Sequence, residues 1–446
     1  MISTRTVLQR IDVTWDFPVV FTHALFDPAN PVLVTTLDRR AEHRRHRAMV
    51  FIDRQVADTL PALTGQVSAY FAAHPDQLEL VATPSLVPGG EAIKNDFSLV
   101  DQFMRQMLDA HLDRQSFVII VGGGAVMDAV GLAAALVHRG LRQVRVPTTV
   151  LGQNDAGVGV KNGVNFLGGK NAIGSFAPPF AVLNDFDFLL TLPDRDWLCG
   201  VAEAFKVSII RDKAFFAELL AEAEKYPARD FAAMQKLVVR CAEIHLEHIR
   251  TNGDPFEYGR ARPLDFGHWS AHKLELMSGF AISHGEAVAA GVLLDSLYAA
   301  KKSWITPEEL AAIGDGFRRS GFRLWFDELH RRDADGTRAI FGGLRDFQEH
   351  LGGELTVTFP AESAPGTKFT KSTCLDGAGI AGTRSVCALP MIIQQRPPLH
   401  LTSTPARAGR RISRRSGKRR WPSGRRWRRG NGLASVCASP SRRPRN

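Results

Sequence analysis

Residues 117–128, FVIIVGGGAVMD, decide how the chain is read. FVIIV is a short apolar run suited to a parallel strand buried on both faces. Gly122, Gly123 and Gly124 follow at once, and a helical pattern then runs to roughly His138. A strand, a glycine turn and a helix N-terminus let main chain approach a phosphate closely, and the helix dipole favours its charge. The turn is not a GxGxxG, so the ordinary dinucleotide fingerprint does not describe it.

Working outward, His46–Asp53 (HRAMVFID) is a second buried-strand run, and 96–112 carries a helical pattern. Alternating strands and helices predict an α/β domain with a parallel sheet over residues 1–192. From Pro193, well placed for a first helical turn, the texture changes. Helical patterns fill 194–211, 214–225, 230–250, 266–278, 284–301 and 306–320. A second, mainly α-helical domain is therefore expected over 193–360. After Pro360 apolar periodicity stops, and stretches such as RRISRRSGKRRWPSGRRWRRG (410–430) cannot build a core. Residues 361–446 are expected to be a disordered Arg-rich tail, read either as out-of-frame GC-rich coding sequence or as a genuine basic tail.

The 446 residues are 44% hydrophobic and 23% charged, which fits a globular protein of two or three domains and excludes a disordered chain, a collagen or a disulfide scaffold. The net charge of +10 hides a split. Residues 361–446 hold 19 Lys and Arg against 2 Asp and Glu, and the rest holds 37 against 44. The body is acidic, so its overall charge does not argue for nucleic-acid binding; only a genuine tail would. Five cysteines without a CxxC pair fit a reducing cytoplasm and argue against a cysteine zinc site. Residues 129–137, the longest apolar stretch, are too short for a membrane helix, and MISTRTVLQR lacks the apolar core of a signal peptide.

Three further groups carry chemistry. Thr148 and Thr149 follow Pro147 at a strand end, where two hydroxyls can bond a ribose or nicotinamide. The glycine-rich run 155–171, DAGVGVKNGVNFLGGKN, reads as a loop offering main-chain N–H groups and the cations Lys161 and Lys170 to a phosphate. Glu203, His268 and His284 are candidate metal ligands. One Glu and two His leave a fourth position open for substrate, as a catalytic zinc site requires.

Taken together, GGGAVMD, PTTVLGQNDAGVGVKNGVNFLGGKN, GVAEAFK, LDFGHWSAH and SHGEAVAAGV resemble, in order and spacing, the 3-dehydroquinate synthase family, the sugar phosphate cyclases. The resemblance covers about residues 46–300. It implies a Rossmann-like α/β domain that binds NAD, a helical domain that supplies Zn2+ (or Co2+), and an active site between them. By resemblance Asp53, Glu91, Lys94, Gly123, Gly124, Asp128, Thr148 and Thr149 contact NAD. Asp155 and Lys161 fall near the nicotinamide and substrate. Arg139, Lys170, Asn171, Lys206 and His272 hold the sugar phosphate, and Glu203, His268 and His284 hold the metal. A cytoplasmic homodimer is implied as well. The reaction implied is a redox cycle without net oxidation, in which phosphate is eliminated and an aldol step closes a carbocycle.

The chain departs from the family around the substrate carboxylate. Asp265 stands where the family has Asn, Ala261 where it has Arg, and 241–255 offers no counterpart to a family Lys. An added acid and lost cations disfavour a carboxylate substrate, which points toward sedoheptulose 7-phosphate and the 2-epi-5-epi-valiolone synthase type. A metal-dependent polyol or alcohol dehydrogenase shares the GGG turn but lacks the two-lysine run. A nucleic-acid-binding protein carried by the tail leaves the body's motifs unexplained.

Overall fold

The computed structural model describes residues 6–167, 169–251, 256, 263–350, 355–360 and 370–375. Its strands, in chain order, are Val19–Thr22 (β1), His46–Asp53 (β2), Leu78–Leu80 (β3), Ser85–Val87 (β4), Phe117–Gly122 (β5), Arg142–Pro147 (β6), Lys161–Phe166 (β7), Gly169–Phe176 (β8), Ala181–Asp185 (β9), Leu355–Pro360 (β10) and Thr370–Leu375 (β11). Seven form one parallel sheet in the order β1-β9-β6-β5-β2-β3, with β4 paired to the far half of β2.

Alternation along the strands builds two cores. Ala48, Val50 and Ile52 of β2 and Phe117, Ile119 and Val121 of β5 enter one apolar cluster, on the face covered by the helix Leu63–Ala73. Met49, Phe51, Val118 and Ile120 enter the other, with the helices Phe97–Asp109 and Gly124–Leu136. Helices on both faces explain why β5 reads as a continuous apolar run. The expected α/β half is thus present. Strands β1, β3, β4 and β9 escape the sequence reading because they are only three to five residues long.

The helical half follows the sequence patterns within two or three residues, with helices at Asp194–Arg211, Lys213–Glu222, Phe231–Thr251, His268–Met277, His284–Lys301 and Pro307–Arg319. Trp197, Phe205, Trp269 and Phe317, all buried, anchor its core. Serine and threonine capping boxes start the last two helices. No described helix is long and apolar enough to cross a membrane.

Two expectations need correction. The run 155–171 is not a loop. Gly152–Ala156 forms a π-type turn, and β7 and β8 then pair as an antiparallel hairpin. Strand pairing consumes main-chain N–H groups that the sequence reading assigned to an anion, so anion capture there falls to side chains. Val164 is buried and Ile173 half-buried in the sheet's second core, which is what holds the hairpin down. In the tail, Thr370–Leu375 forms a strand against β10 where composition predicts none. The rest of 361–446 lies outside the described residues.

Candidate active site

The N-terminal site residues gather at the C-terminal ends of the parallel strands, where open α/β sheets place their ligands. Asp53 closes β2 and caps the next helix, accepting from the Gln55 N–H at 2.9 Å. Its carboxyl is raised by burial. Glu91 and Lys94 lie in a short 3-10 turn just after β4. Gly123 caps the helix that begins at Gly124. Lys94 is buried and donates to Asp128 Oδ2 at 2.6 Å. Burial alone would lower its ammonium, but Asp128 and Glu91 outweigh that and raise it. Thr149 Oγ1 accepts from the Gly152 N–H. Thr148 Oγ1 and Glu91 Oε2 are buried with no hydrogen-bond partner among the described residues. Such orphaned atoms fit a polar ligand at these strand ends.

The segment after β6 ties this edge to the helical half. Asn154 donates to the Gly200 carbonyl at 2.8 Å. Asp155 pairs with His245 of the helix Phe231–Thr251, Nδ1 to Oδ1 at 2.8 Å. Burial and Glu203 push the Asp155 carboxyl up, but His245 and Lys206 prevail and hold it low. Between Asp155 and Lys161 the main chain is pinned by Arg145, a fully buried guanidinium. It donates to the carbonyls of Gly157, Gly159 and Lys161 and to Asn162 Oδ1.

Glu203, His268 and His284 converge from three helices. Their ligand atoms lie within 4.8 Å of one another. Glu203 Oε1 is 3.4 Å from His268 Nε2 and 3.1 Å from His284 Nε2. His268 and His284 are each the first residue of a helix. Gly285 lies so close to the helix Asp194–Arg211 that a Cβ on it would stand 2.4 Å from the Cys199 carbonyl oxygen. Each imidazole has its other nitrogen engaged. His268 Nδ1 is 3.0 Å from the Phe266 carbonyl, and His284 Nδ1 is 3.2 Å from Glu275 Oε2. Both therefore present Nε2 to the same point, as metal-binding histidines do. One carboxylate oxygen and two such nitrogens fit a divalent metal with an open position.

The electrostatics around this point are strongly paired. Burial would raise Glu203, but Lys206 and His268 hold it well below the usual carboxylate range. Lys206 Nζ sits 2.5 Å from Glu203 Oε2. Burial opposes its charge, but Glu203 and Asp155 raise its ammonium above the ordinary value, and Asp265 adds to this. His284 is lowered by burial but lifted to about 9 by Glu275 and Glu203. His272 stands beside the His268 and His284 rings, with centroids at 5.3 and 6.0 Å. Burial and Lys170 press it well below its ordinary value.

Other expected residues fall differently. Lys170 reaches the site but donates to both oxygens of buried Glu275, at 2.9 and 3.0 Å. Lys161 and Asn171 are exposed on the hairpin. Arg139 is exposed beyond the far end of the helix Gly124–Leu136, whose 13 residues span about 20 Å, so the structure does not bring it to the other residues. Arg260, Ala261 and Arg262 lie outside the described residues. Sequence reasoning missed Glu275, His245 and Arg145. Glu275 is three and seven residues after His272 and His268, a helix-face spacing that would have found it. Neither of the other two carries a local signal.

Residues 85–199 match the 3-dehydroquinate synthase N-terminal family and residues 200–337 its C-terminal counterpart. The 3-dehydroquinate synthase of Pseudoalteromonas atlantica is 34% identical over 285 residues, 64% of this chain and 77% of that protein. That of Pelobacter propionicus is 37% identical over 230 residues, 51% of this chain and 62% of that protein. The matches to the first curated relatives span about three fifths of those proteins' length. A 2-epi-5-epi-valiolone synthase structure from Streptomyces hygroscopicus subsp. jinggangensis 5008, with NAD+ and Zn2+ bound, has a TM-score of 0.71 at 26% identity. It covers 86% of this chain and 99% of that one. A parallel α/β sheet followed by a helical half is the fold this chain shares with that sugar phosphate cyclase. The chain belongs to the 3-dehydroquinate synthase family.

Proposed function

We propose that the protein is a sugar phosphate cyclase that uses NAD+ and a divalent metal, Zn2+ or Co2+, to turn a 7-phospho-heptulose or heptulosonate into a carbocycle with loss of phosphate. The observation that carries this reading is the convergence of Glu203, His268 and His284 on one point, with the strand-end segment 148–155 laid against it. A homodimer is the expected assembly.

Bound NAD+ supplies a hydride acceptor that later returns the hydride, and the metal supplies Lewis acidity at the reacting oxygen. The chain's own groups do the rest. Lys206, held as an ammonium by Glu203 and Asp155, offers a fixed cation where negative charge develops on oxygen. His272, neutral through burial, is a proton acceptor beside the metal ligands. Asp155, kept ionised, holds a substrate hydroxyl by accepting its proton in a hydrogen bond. The strand-end residues from Asp53 to Thr149 bind the dinucleotide.

A specific observation favours the heptulose over the heptulosonate. Asp265 is close enough to Lys206 to raise that ammonium, so the site carries an added acid that would repel a substrate carboxylate. The test uses the full chain with NAD+ and Zn2+, measuring released phosphate and NADH absorbance together. Phosphate from sedoheptulose 7-phosphate without net NADH supports the heptulose reading. Turnover of 3-deoxy-arabino-heptulosonate 7-phosphate makes the protein a dehydroquinate-forming enzyme. NADH accumulation from a polyol without phosphate release overturns the cyclase reading in favour of a dehydrogenase.

A further inference from the structure

Asp295 lies in the helix His284–Lys301, eleven residues after the metal ligand His284 and so on the same helix face. It is completely buried and forms no ion pair among the described residues. Removing an unpaired carboxylate from water is costly. Two donors answer it. The Trp269 indole N–H reaches Oδ1 at 2.9 Å, and the Gly267 N–H reaches Oδ2 at 3.0 Å. These donors flank the other histidine ligand, His268, on either side in sequence.

The Gly267 N–H belongs to the same peptide group as the Phe266 carbonyl, and that carbonyl accepts from His268 Nδ1 at 3.0 Å. A peptide group is a rigid plane. Fixing its N–H against Asp295 therefore fixes the oxygen that orients the imidazole. An acceptor on the N–H also polarises the peptide and strengthens its carbonyl as an acceptor. Local structure does not supply this control. Gly267 adopts φ +77°, and no side chain caps the helix that starts at His268. A Cβ at Gly267 would stand 2.6 Å from the Val292 nitrogen, so the turn sits directly on the helix that carries Asp295.

We propose that Asp295 is a positioning residue of the metal site, holding His268 through the peptide group between Phe266 and Gly267 as Glu275 holds His284 directly. This rests on Glu203, His268 and His284 being the metal ligands. It assigns a role to a residue that no motif in the sequence singles out.

The test is Zn2+ affinity of the metal-free full chain, read by competition with a chromophoric chelator, with the Co2+ absorption spectrum as a second readout. Asp295→Asn keeps the shape but can accept from only one of the two donors. It is expected to weaken Zn2+ binding about 10- to 100-fold and to change the Co2+ spectrum, with the far-ultraviolet circular dichroism unchanged. If that variant does not fold, Trp269→Phe, which removes one of the donors that aim the carboxylate, is expected to loosen Zn2+ in the same direction. Wild-type Zn2+ affinity in a folded Asp295→Asn overturns the proposal, whatever happens to its melting temperature. A Glu203→Ala variant separates the two readings. Unchanged Zn2+ binding there overturns the metal site itself, whereas lost binding there with intact binding in Asp295→Asn overturns only the role of Asp295.

Discussion

Lys170 and His284 share one carboxylate. Glu275 accepts from the Lys170 ammonium with both oxygens, and one of those oxygens also faces His284 Nδ1. The hairpin β7–β8 is thereby tied to the helix that opens with His284. Glu275→Gln keeps an acceptor for the imidazole but strips the negative charge. Zn2+ affinity is expected to fall about 10- to 100-fold, as for other groups that orient a metal ligand. Chelator competition on the full chain checks this, and unchanged affinity would mean that Glu275 serves Lys170 alone.

Thr148 has a buried hydroxyl with no hydrogen-bond partner among the described residues. Thr148→Val removes an unsatisfied group from the metal- and nucleotide-free chain, so its melting temperature is expected to hold or rise. NAD+ binding, measured calorimetrically, is expected to weaken about fivefold, the worth of one net hydrogen bond. Loss of stability together with unchanged NAD+ affinity would place the hydroxyl outside the nucleotide site.

His245 faces Asp155 across the two halves of the molecule, Nδ1 to Oδ1 at 2.8 Å. Without it, Asp155 stands near Glu203 with Lys206 left to offset the repulsion. His245→Ala is expected to lower turnover about 100-fold through misplacement of Asp155 while Zn2+ affinity stays within twofold. Steady-state kinetics beside metal titration would show it, and equal losses in both would instead implicate the metal site.

Burial pushes the Asp295 carboxyl up to about 7, against 3.8 for an ordinary Asp. The native state therefore holds a proton that the unfolded chain releases between those values. The stability this group contributes is present below pH 4 and is lost as pH rises through 7. Asp295→Asn cannot lose it. Denaturant midpoints of the metal-free proteins should shift in favour of the variant between pH 4.5 and 7.5, and parallel profiles would contradict the burial cost.

The sequence carries the fold where a run is long or chemically simple. FVIIV followed by three glycines fixes β5 and its helix, and the long amphipathic patterns fix the helical half. It fails where partners are distant. The run 155–171 looks like a glycine loop because Val164 and, just beyond it, Ile173, which pin the hairpin, find their partners in the sheet's second core. The three proposed metal ligands, Glu203, His268 and His284, are legible through their motifs. Glu275 is legible only through helical spacing, and Asp295 and His245 not at all, since each acts across a tertiary contact.

The close meeting of Gly285 and Cys199 has an evolutionary consequence. Main chain touches main chain there, so the span between Glu203 and His284 cannot be tuned by exchanging side chains. New substrates have to be accommodated along β8, where exposed and half-buried positions alternate, and at half-buried Asp265. A mutant library aimed at altered specificity should randomise those segments and keep 199–203 and 283–286 constant.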